Sequence, residues 1–344
     1  MKNFPGQTFH LACSRTSPFL RGLTGFLLTF LIVVFALEAG GRSPLGNRLP
    51  APSVQGDSFL FDAKVYALEQ QARRNGRLDC IFIGSSVTNS DIDPQALEQV
   101  YFEQTGEPIH CFNFGYPAMT VENAAVFADS VIAKFSPRLI VYTFIPRDVI
   151  FSDLNVDFLQ QSAWLQTHPR DLHDWLIQNS YAYRYYQTWR YLLLPPNREK
   201  RVTELTHLTD KGFQPTYDIR DPYPQTINFT VDLLAQTAAT DYTRRHLKQL
   251  LARQDDTVHI LLVEAPIYRE AADAALWQAY ENEYIPLIEE LAHANNTAFI
   301  RTAKISSAIP RPHWYDHLHL NFDGALTFSR WLGGVLASRR GLPQ

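Results

Sequence analysis

The sequence predicts an α/β protein: a three-layer α/β/α sandwich around a parallel sheet, with a helical insertion and one N-terminal transmembrane helix. Three observations lead there. Short apolar runs alternate with helical patterns over most of the chain, as they do where a parallel sheet is covered on both faces. The alternation stops between about residues 151 and 240 and then resumes. Near the N-terminus, residues 22–37 carry no charge.

The elements follow in order. Residues 42–57 are rich in Pro, Gly and Ser and read as a linker, which leaves residues 58–344 for the globular domain. Residues 78–83 form a buried strand ending at Gly84, and a helix over 94–104 follows, with Asp93 as its N-cap and Pro94 at its first position. A second strand over 109–114 ends at Gly115. A helix over 121–135 has apolar residues at helical spacing and Pro137 just beyond it. The third strand covers 139–144. After the interruption come a helix over 241–253, a strand over 258–263, a long helix over about 271–295, a short strand over 298–300 and an amphipathic helix over 325–338. Ligands of such sheets sit beyond the carboxyl ends of the strands.

The interrupted stretch holds Trp164, Trp175, Trp189, the tyrosines 181, 183, 185, 186 and 191, and the turn Leu194-Pro195-Pro196. It leaves from the end of the third strand, on the side where a site would lie, and reads as a helical cap. Its aromatic side chains either reach a ligand, as sugar-stacking rings or an acyl pocket, or pack the insertion's own small core.

The uncharged run spans a bilayer only if the small residues Ala39, Gly40 and Gly41 are counted with it, since about 20 apolar residues are needed. Lys2, Arg15 and Arg21 precede it, which places the N-terminus in the cytoplasm and the globular part across the membrane. We therefore read residues 1–41 as a cytoplasmic leader and an anchor. The alternative is a cleaved signal and a secreted protein, with Ala39 and Gly41 at the cleavage site.

Composition excludes other classes. The net charge is −4 and no basic stripe is present, so nucleic acid is not an expected partner. No CxxC or Cys/His spacing suggests zinc, and neither a metal nor a cofactor is expected. Gly84-Ser85-Ser86 has neither a dinucleotide fingerprint nor a P-loop ending. Cys13 precedes the anchor. Cys80 and Cys111 fall in two predicted core strands and are expected to behave as small hydrophobes, with a disulfide between them as the alternative.

Two segments carry chemistry. Ser86 stands just past the first strand, in a turn into a helix, where a hydroxyl is exposed near helix-terminal N–H groups. At the far end, residues 313–321 form a loop dense in titratable groups before the last helix. Serine is a weak nucleophile until a base takes its proton, and imidazole has a suitable pKa. A carboxylate must then hold one tautomer of the imidazole, and an Asp three residues before a His does so within one loop. Asp316 and His319 have that spacing. His317 is the nearest competing base, but its side chain faces another direction. Asp323 is expected to cap the final helix, and Glu264 either lines the cleft or merely ends its strand.

The block order is similar to that of the SGNH/GDSL hydrolases. Gly84-Ser85-Ser86 resembles their first block, Asn113-Phe114-Gly115 the second and Asp316 to His319 the last. The stretch GSSVTNSDIDP looks like the variant in membrane-anchored envelope members, including alginate O-acetylation proteins and the D-alanyl transfer protein of teichoic acid synthesis. The resemblance implies a flavodoxin-like sheet, a Ser86–His319–Asp316 triad, and an oxyanion hole with the Gly115 N–H in it. One block departs: Arg147 stands where the family has an oxyanion-donating Asn. Arg147 either replaces that donor, grips an anionic substrate group, or pairs with a carboxylate such as Asp148. Loss of such a donor typically costs about 100- to 1000-fold in rate.

The expected activity is that of a serine esterase or O-acyltransferase acting on acyl esters of a cell-envelope or exported polysaccharide. It would be a single-pass membrane protein whose catalytic domain is periplasmic or extracellular, with an acylated glycan as substrate. A membrane acyltransferase that supplies the acyl group is an open partner. The alternative is a carbohydrate-binding or assembly protein that keeps the fold without turnover.

Overall fold

The structure is a computed structural model, and it describes residues 18–43, 46, 49–54, 58–150, 159, 162–218, 237–268 and 274–339. Lys2, Cys13 and Arg15, together with part of the expected insertion, lie outside the described residues. The chain forms two compact units, α1 and residues 180–182 in one and the sheet in the other, whose first residue is Pro50.

Helix α1 (Pro18–Arg42) runs for 25 residues, or about 37 Å at 1.5 Å per residue, and none of its most apolar window is buried. It is long and apolar enough to cross a membrane, a test that a signal sequence also passes.

In the second unit, five parallel strands, β1 (Cys80–Gly84), β2 (Cys111–Gly115), β3 (Leu139–Phe144), β4 (His259–Glu264) and β5 (Ala298–Ile300), lie in the order β2-β1-β3-β4-β5. This is the flavodoxin-like order, with chain reversal between β1 and β3. The strands read as unbroken apolar runs because both faces are covered. Ile81, Ile83, Phe112, Phe114, Ile140 and Tyr142 join one core, whereas Cys80, Phe82, Cys111, Leu139 and Val141 join the other.

Helices α2 (Phe59–Asn75) and α5 (Val121–Phe135) pack into the first core, and α4 (Pro94–Thr105) into the second. Short α3 (Ser86–Asp91) follows β1, and short α6 (Pro146–Ile150) follows β3. The insertion contributes α7 (Leu172–Asn179), α8 (Tyr181–Leu192) and α9 (Pro195–Leu205) among its described residues. Then come α10 (Thr237–Leu251), α11 (Ala274–Ala279), α12 (Ile285–Ala294), α13 (Ala303–Ala308) and α14 (Phe322–Ser338). A π-turn over Tyr280–Tyr284 joins α11 to α12, where a single long helix was predicted. Pro286 lacks an N–H for the regular ladder, which accounts for the irregular turn before it.

Caps follow the sequence in one case and depart in another. The Asp93 carboxylate accepts the Gln95 N–H at 2.9 Å, so α4 starts as predicted. The last helix starts three residues earlier than predicted: Asn321 is the cap, accepting the Gly324 N–H at 3.2 Å, and Asp323 lies inside the first turn. The end of the expected linker also belongs to the globular unit. Val54 is buried, and its N–H donates to Asp62 at 2.7 Å.

Cys80 and Cys111 are directly paired in register with Cα atoms 4.5 Å apart, and they form a disulfide rather than two free thiols. The bridge closes a loop over a sequence separation of 31 residues, for which loop-closure entropy predicts about 3–4 kcal/mol of stabilisation. A strong reductant should therefore lower the melting temperature of the wild type and leave that of Cys80→Ala/Cys111→Ala where it is. Identical melting curves for the oxidised and reduced wild type would contradict the assignment.

Candidate active site

Local backbone geometry puts Ser86 at the sheet's rim. A Cβ on Gly84 would lie 2.1 Å from both the Thr143 carbonyl oxygen and the Thr88 hydroxyl, so β1 can pass this close to β3 only with glycine there. Ser86 is the first residue of α3, and its N–H has no carbonyl four residues back within the helix to receive it. Ser85 does not face the same way. Its hydroxyl donates to the buried Asp148 carboxylate at 2.6 Å, which also accepts the Ile145 N–H at 3.2 Å and ties α3 to the turn after β3.

The loop before α14 is a tight reversal. Trp314 and Leu320 form an antiparallel bridge, and the Tyr315 N–H donates to the His319 carbonyl at 2.9 Å. The Asp316 Oδ1 atom accepts the N–H groups of Leu318 and His319, each at 2.8 Å. The same carboxylate lies 2.9 and 3.0 Å from His319 Nδ1, so a three-residue spacing fixes both the backbone and the ring. The other ring nitrogen, Nε2, is 2.8 Å from the Ser86 hydroxyl. Ser86, His319 and Asp316 thus form one hydrogen-bonded chain between positions 233 residues apart.

Two carboxylates that sequence reasoning missed hold this arrangement. Asp91, at the end of α3, accepts the Leu320 N–H at 3.0 Å and the Ser90 hydroxyl at 2.6 Å. It joins the helix that carries Ser86 to the loop that carries His319. Asp148 anchors the other side. Burial raises Asp91 to about 7, against the pull of the His319 charge, the Ser90 hydroxyl and the Leu320 N–H. Burial likewise raises Asp148 to about 7, against Ser85, the Ile145 N–H, Arg147 and His319.

The titrations of His319 and Asp316 move apart. Burial works against a charged His319, but the hydrogen bond to Asp316 and the negative charges of Asp91, Asp316 and Asp148 outweigh it and raise the imidazole above its ordinary 6.5. Burial alone would raise Asp316, yet its bond to His319, the His319 charge and two backbone N–H groups bring it down to about 2. His317 stays outside the chain of bonds, and burial lowers its pKa.

Ser86 and His319 open onto a cleft of about 250 Å³. Asn89, Thr206, Gln214, Thr216 and Tyr315 wall it. The wall over residues 206–216 comes from the end of the insertion and is fixed by backbone bonds: the Gln214 N–H to the Asn89 carbonyl at 3.0 Å and the Phe322 N–H to the Thr216 carbonyl at 2.8 Å. The insertion therefore does reach the cleft, but with amides and hydroxyls. Among the described residues its aromatic cluster does not line the cleft. Trp164 is instead buried, donating to Asp62 at 2.7 Å.

Both expected oxyanion donors need correction. The Gly115 N–H is already given to the Asn113 carboxamide at 2.8 Å. What Gly115 supplies is space: a Cβ there would lie 2.1 Å from the Asn89 backbone nitrogen, so its role is close packing of β2 against α3. The buried Nζ of Lys64 holds this strand end from behind, donating to the carbonyls of Gly115 at 2.6 Å and Asn113 at 3.3 Å. Arg147 is half-buried on α6, does not line the cleft, and bears electrostatically on Asp148. The turn after β2 holds Ala118 at φ 64°, a left-handed value uncommon for a residue with a Cβ. Glu264 does not enter the cleft. It is buried and accepts from Arg301 and the Thr302 N–H, each at 3.1 Å. No group of three metal-ligating side chains is found among the described residues.

No family model matches the chain, and no curated protein matches it. Its fold is similar to that of solved structures. A catalytic mutant of an acetylxylan esterase from Geobacillus stearothermophilus is 16% identical with a TM-score of 0.40, the match covering 76% of this chain and 93% of that one. A second catalytic mutant of that esterase is 16% identical with a TM-score of 0.40, over 77% and 94%. An alpha/beta hydrolase enzyme from the metagenome of Lake Arreo, Spain, is 14% identical with a TM-score of 0.39, over 77% and 96%. Values this low carry no residue role from those chains to this one.

The buried carboxylates set a pH dependence of stability. Asp91 and Asp148 go from about 7 in the folded chain to an ordinary 3.8 when unfolded, so the folded state binds more protons between those values. The raised His319 works in the same direction above 6.5. Their stabilisation is present at low pH and lost as pH rises through about 7. The depressed Asp316 acts oppositely, and only as pH falls from 3.8 toward 2. The melting temperature should be higher near pH 5 than at pH 8, and Asp91→Asn/Asp148→Asn should flatten that slope. A wild type more stable at pH 8 would refute the assignment.

Proposed function

We propose that this chain is a serine hydrolase of the SGNH type, an esterase or O-acyltransferase acting on acyl esters of a cell-envelope or exported polysaccharide. The observation that carries the proposal is the unbroken chain from the Ser86 hydroxyl through both nitrogens of His319 to the Asp316 carboxylate. His319 takes the Ser86 proton as the hydroxyl oxygen attacks the ester carbonyl, and Asp316, ionised above about pH 2, holds the tautomer and stabilises the imidazolium. The Ser86 N–H, at the first position of α3, is one oxyanion donor. Collapse of the tetrahedral intermediate expels the glycan alkoxide, which receives the proton from His319. Water or a glycan hydroxyl, deprotonated by the same imidazole, then takes the acyl group from Ser86.

The location is part of the same proposal. Helix α1 acts as an uncleaved anchor with a cytoplasmic N-terminus, and the sheet domain works outside the cytoplasm. The Cys80–Cys111 disulfide supports this, since such bonds persist in oxidising compartments. The amide- and hydroxyl-lined cleft supports a polyhydroxylated substrate, and a membrane acyltransferase is the partner we propose for acyl supply. A second reading, a glycan-binding protein without turnover, is favoured by one observation: the Gly115 N–H is already taken by Asn113.

Two measurements separate these readings, and two more test the roles of individual residues. A fluorophosphonate probe should label the wild type and not Ser86→Ala; a folded wild type that stays unlabelled selects the binding protein. Acetate release from acetylated glycans without added acceptor identifies an esterase, and acceptor-dependent consumption a transferase. Asp316→Asn should lower kcat by about 10⁴-fold through loss of the correct tautomer. Because His319 titrates above 6.5, kcat/KM should fall as pH drops through a value above 6.5. Asp91→Asn, which removes a negative charge acting on His319, should move that limb to lower pH. An acid limb unmoved in Asp91→Asn would detach that carboxylate from the base.

A further inference from the structure

Helix α8 has its polarity reversed. Beyond the buried Tyr181 at its start, it buries Arg184, Gln187 and Thr188, with Arg184 bonded to Glu69 at 2.9 Å and stacked 4.5 Å over the Trp164 ring. Outward it turns Tyr186, 52% exposed, and Trp189, 61% exposed, and the chain just beyond it adds Leu193 and Leu194 at 50% and 62%. A surface helix in water does the opposite, with its apolar stripe inward. The neighbouring α7 extends the patch with Leu172 and Trp175. The two helices are joined at this surface: His173 Nδ1 lies 2.8 Å from the Tyr183 hydroxyl, and the Tyr183 and Tyr186 rings are 6.0 Å apart. Exposed apolar patches of this kind mark sites of contact.

We propose that this outward face of α7 and α8 lies in the headgroup layer of the lipid bilayer that anchors the chain. The proposal rests on the anchor reading of α1 and not on the serine chemistry. Two further observations point to a lipid surface. The face is made of Trp and Tyr, whose rings combine an apolar body with a polar tip and concentrate at membrane interfaces, and the exposed Arg190 follows Trp189 at its edge. The covalent chain also limits how far α8 can stray from a membrane crossed by α1. Arg42 ends α1, and Pro50, eight residues on, is already fixed to α8: Tyr185 Oη donates to the Pro50 carbonyl at 3.1 Å, and the Ser53 N–H to Thr188 at 2.8 Å. Eight residues reach at most about 28 Å. A helix tethered that closely, with aromatic rings outward, meets the headgroups rather than bulk water.

The test uses the full chain in phosphatidylcholine vesicles whose acyl chains are brominated near the headgroup. All six tryptophans lie outside α1, so any quenching comes from the sheet unit. The wild type should float with the vesicles and show quenched tryptophan emission. The quenching should be lost in Trp175→Phe/Trp189→Phe and kept in Trp277→Phe, with both variants melting like the wild type. Flotation with quenching unchanged in the double variant, or with none in the wild type, overturns the membrane contact of this face alone. Failure to float overturns the anchor and the proposal with it. Neither outcome touches probe labelling of Ser86, which tests the chemistry separately.

Discussion

The site depends on two buried carboxylates that clamp the turn after β1. Asp91 binds the Leu320 N–H at 3.0 Å and Asp148 binds the Ser85 hydroxyl at 2.6 Å. Between those two bonds the Ser86 hydroxyl is left facing His319. Sequence separation makes the clamp necessary: the segments it joins are 229 residues apart at Asp91 and Leu320, and no local hydrogen bond can set a distance between them. The serine and the imidazole meet because α3 is held at both ends.

The clamp also sets charge. Burial pushes each carboxylate to about 7 despite the positive charge of His319 near both and of Arg147 near Asp148, and this opposes folding at neutral and higher pH. The same negative charges stabilise an imidazolium at His319, together with Asp316. In the proposed chemistry the imidazole becomes positively charged as it takes the serine proton, so carboxylates that raise its basicity would favour that transfer. Structural hold and base strength come from the same groups, at the expense of some stability.

How far the sequence could be read depended on whether a feature was local. The strands showed as unbroken apolar runs because each buries both faces, and Asp316 with His319 showed because a three-residue spacing on one loop is itself the geometry. Gly84 was legible as the end of a strand. Asp91 and Asp148 were not legible as clamps: each binds through space to a partner that spacing does not reveal. Helix α2 went unassigned because it buries Asp62, Lys64, Gln70 and Gln71 along with its apolar residues, which blurs the stripe that marks a helix. The Gly115 N–H failed for a related reason. A glycine after a strand signals close approach or an open N–H equally well, and only the position of the Asn113 carboxamide separates them.

The insertion shows the same limit from the other side. Its aromatic residues were visible in the sequence, but polarity alone does not say which face of a helix turns inward. In α8 the inward face is the polar one, because Arg184 has Glu69 for its charge, the Ile177 carbonyl for its Nε–H at 2.5 Å and the Trp164 ring to stack on. A buried guanidinium satisfied on all sides is tolerated. Once that face is committed to the core, the helical repeat carries Tyr186 and Trp189 to the outside. The outward aromatics are therefore a geometric consequence of the buried arginine, and the polar strap over residues 206–216, rather than those rings, is what the insertion contributes to the cleft.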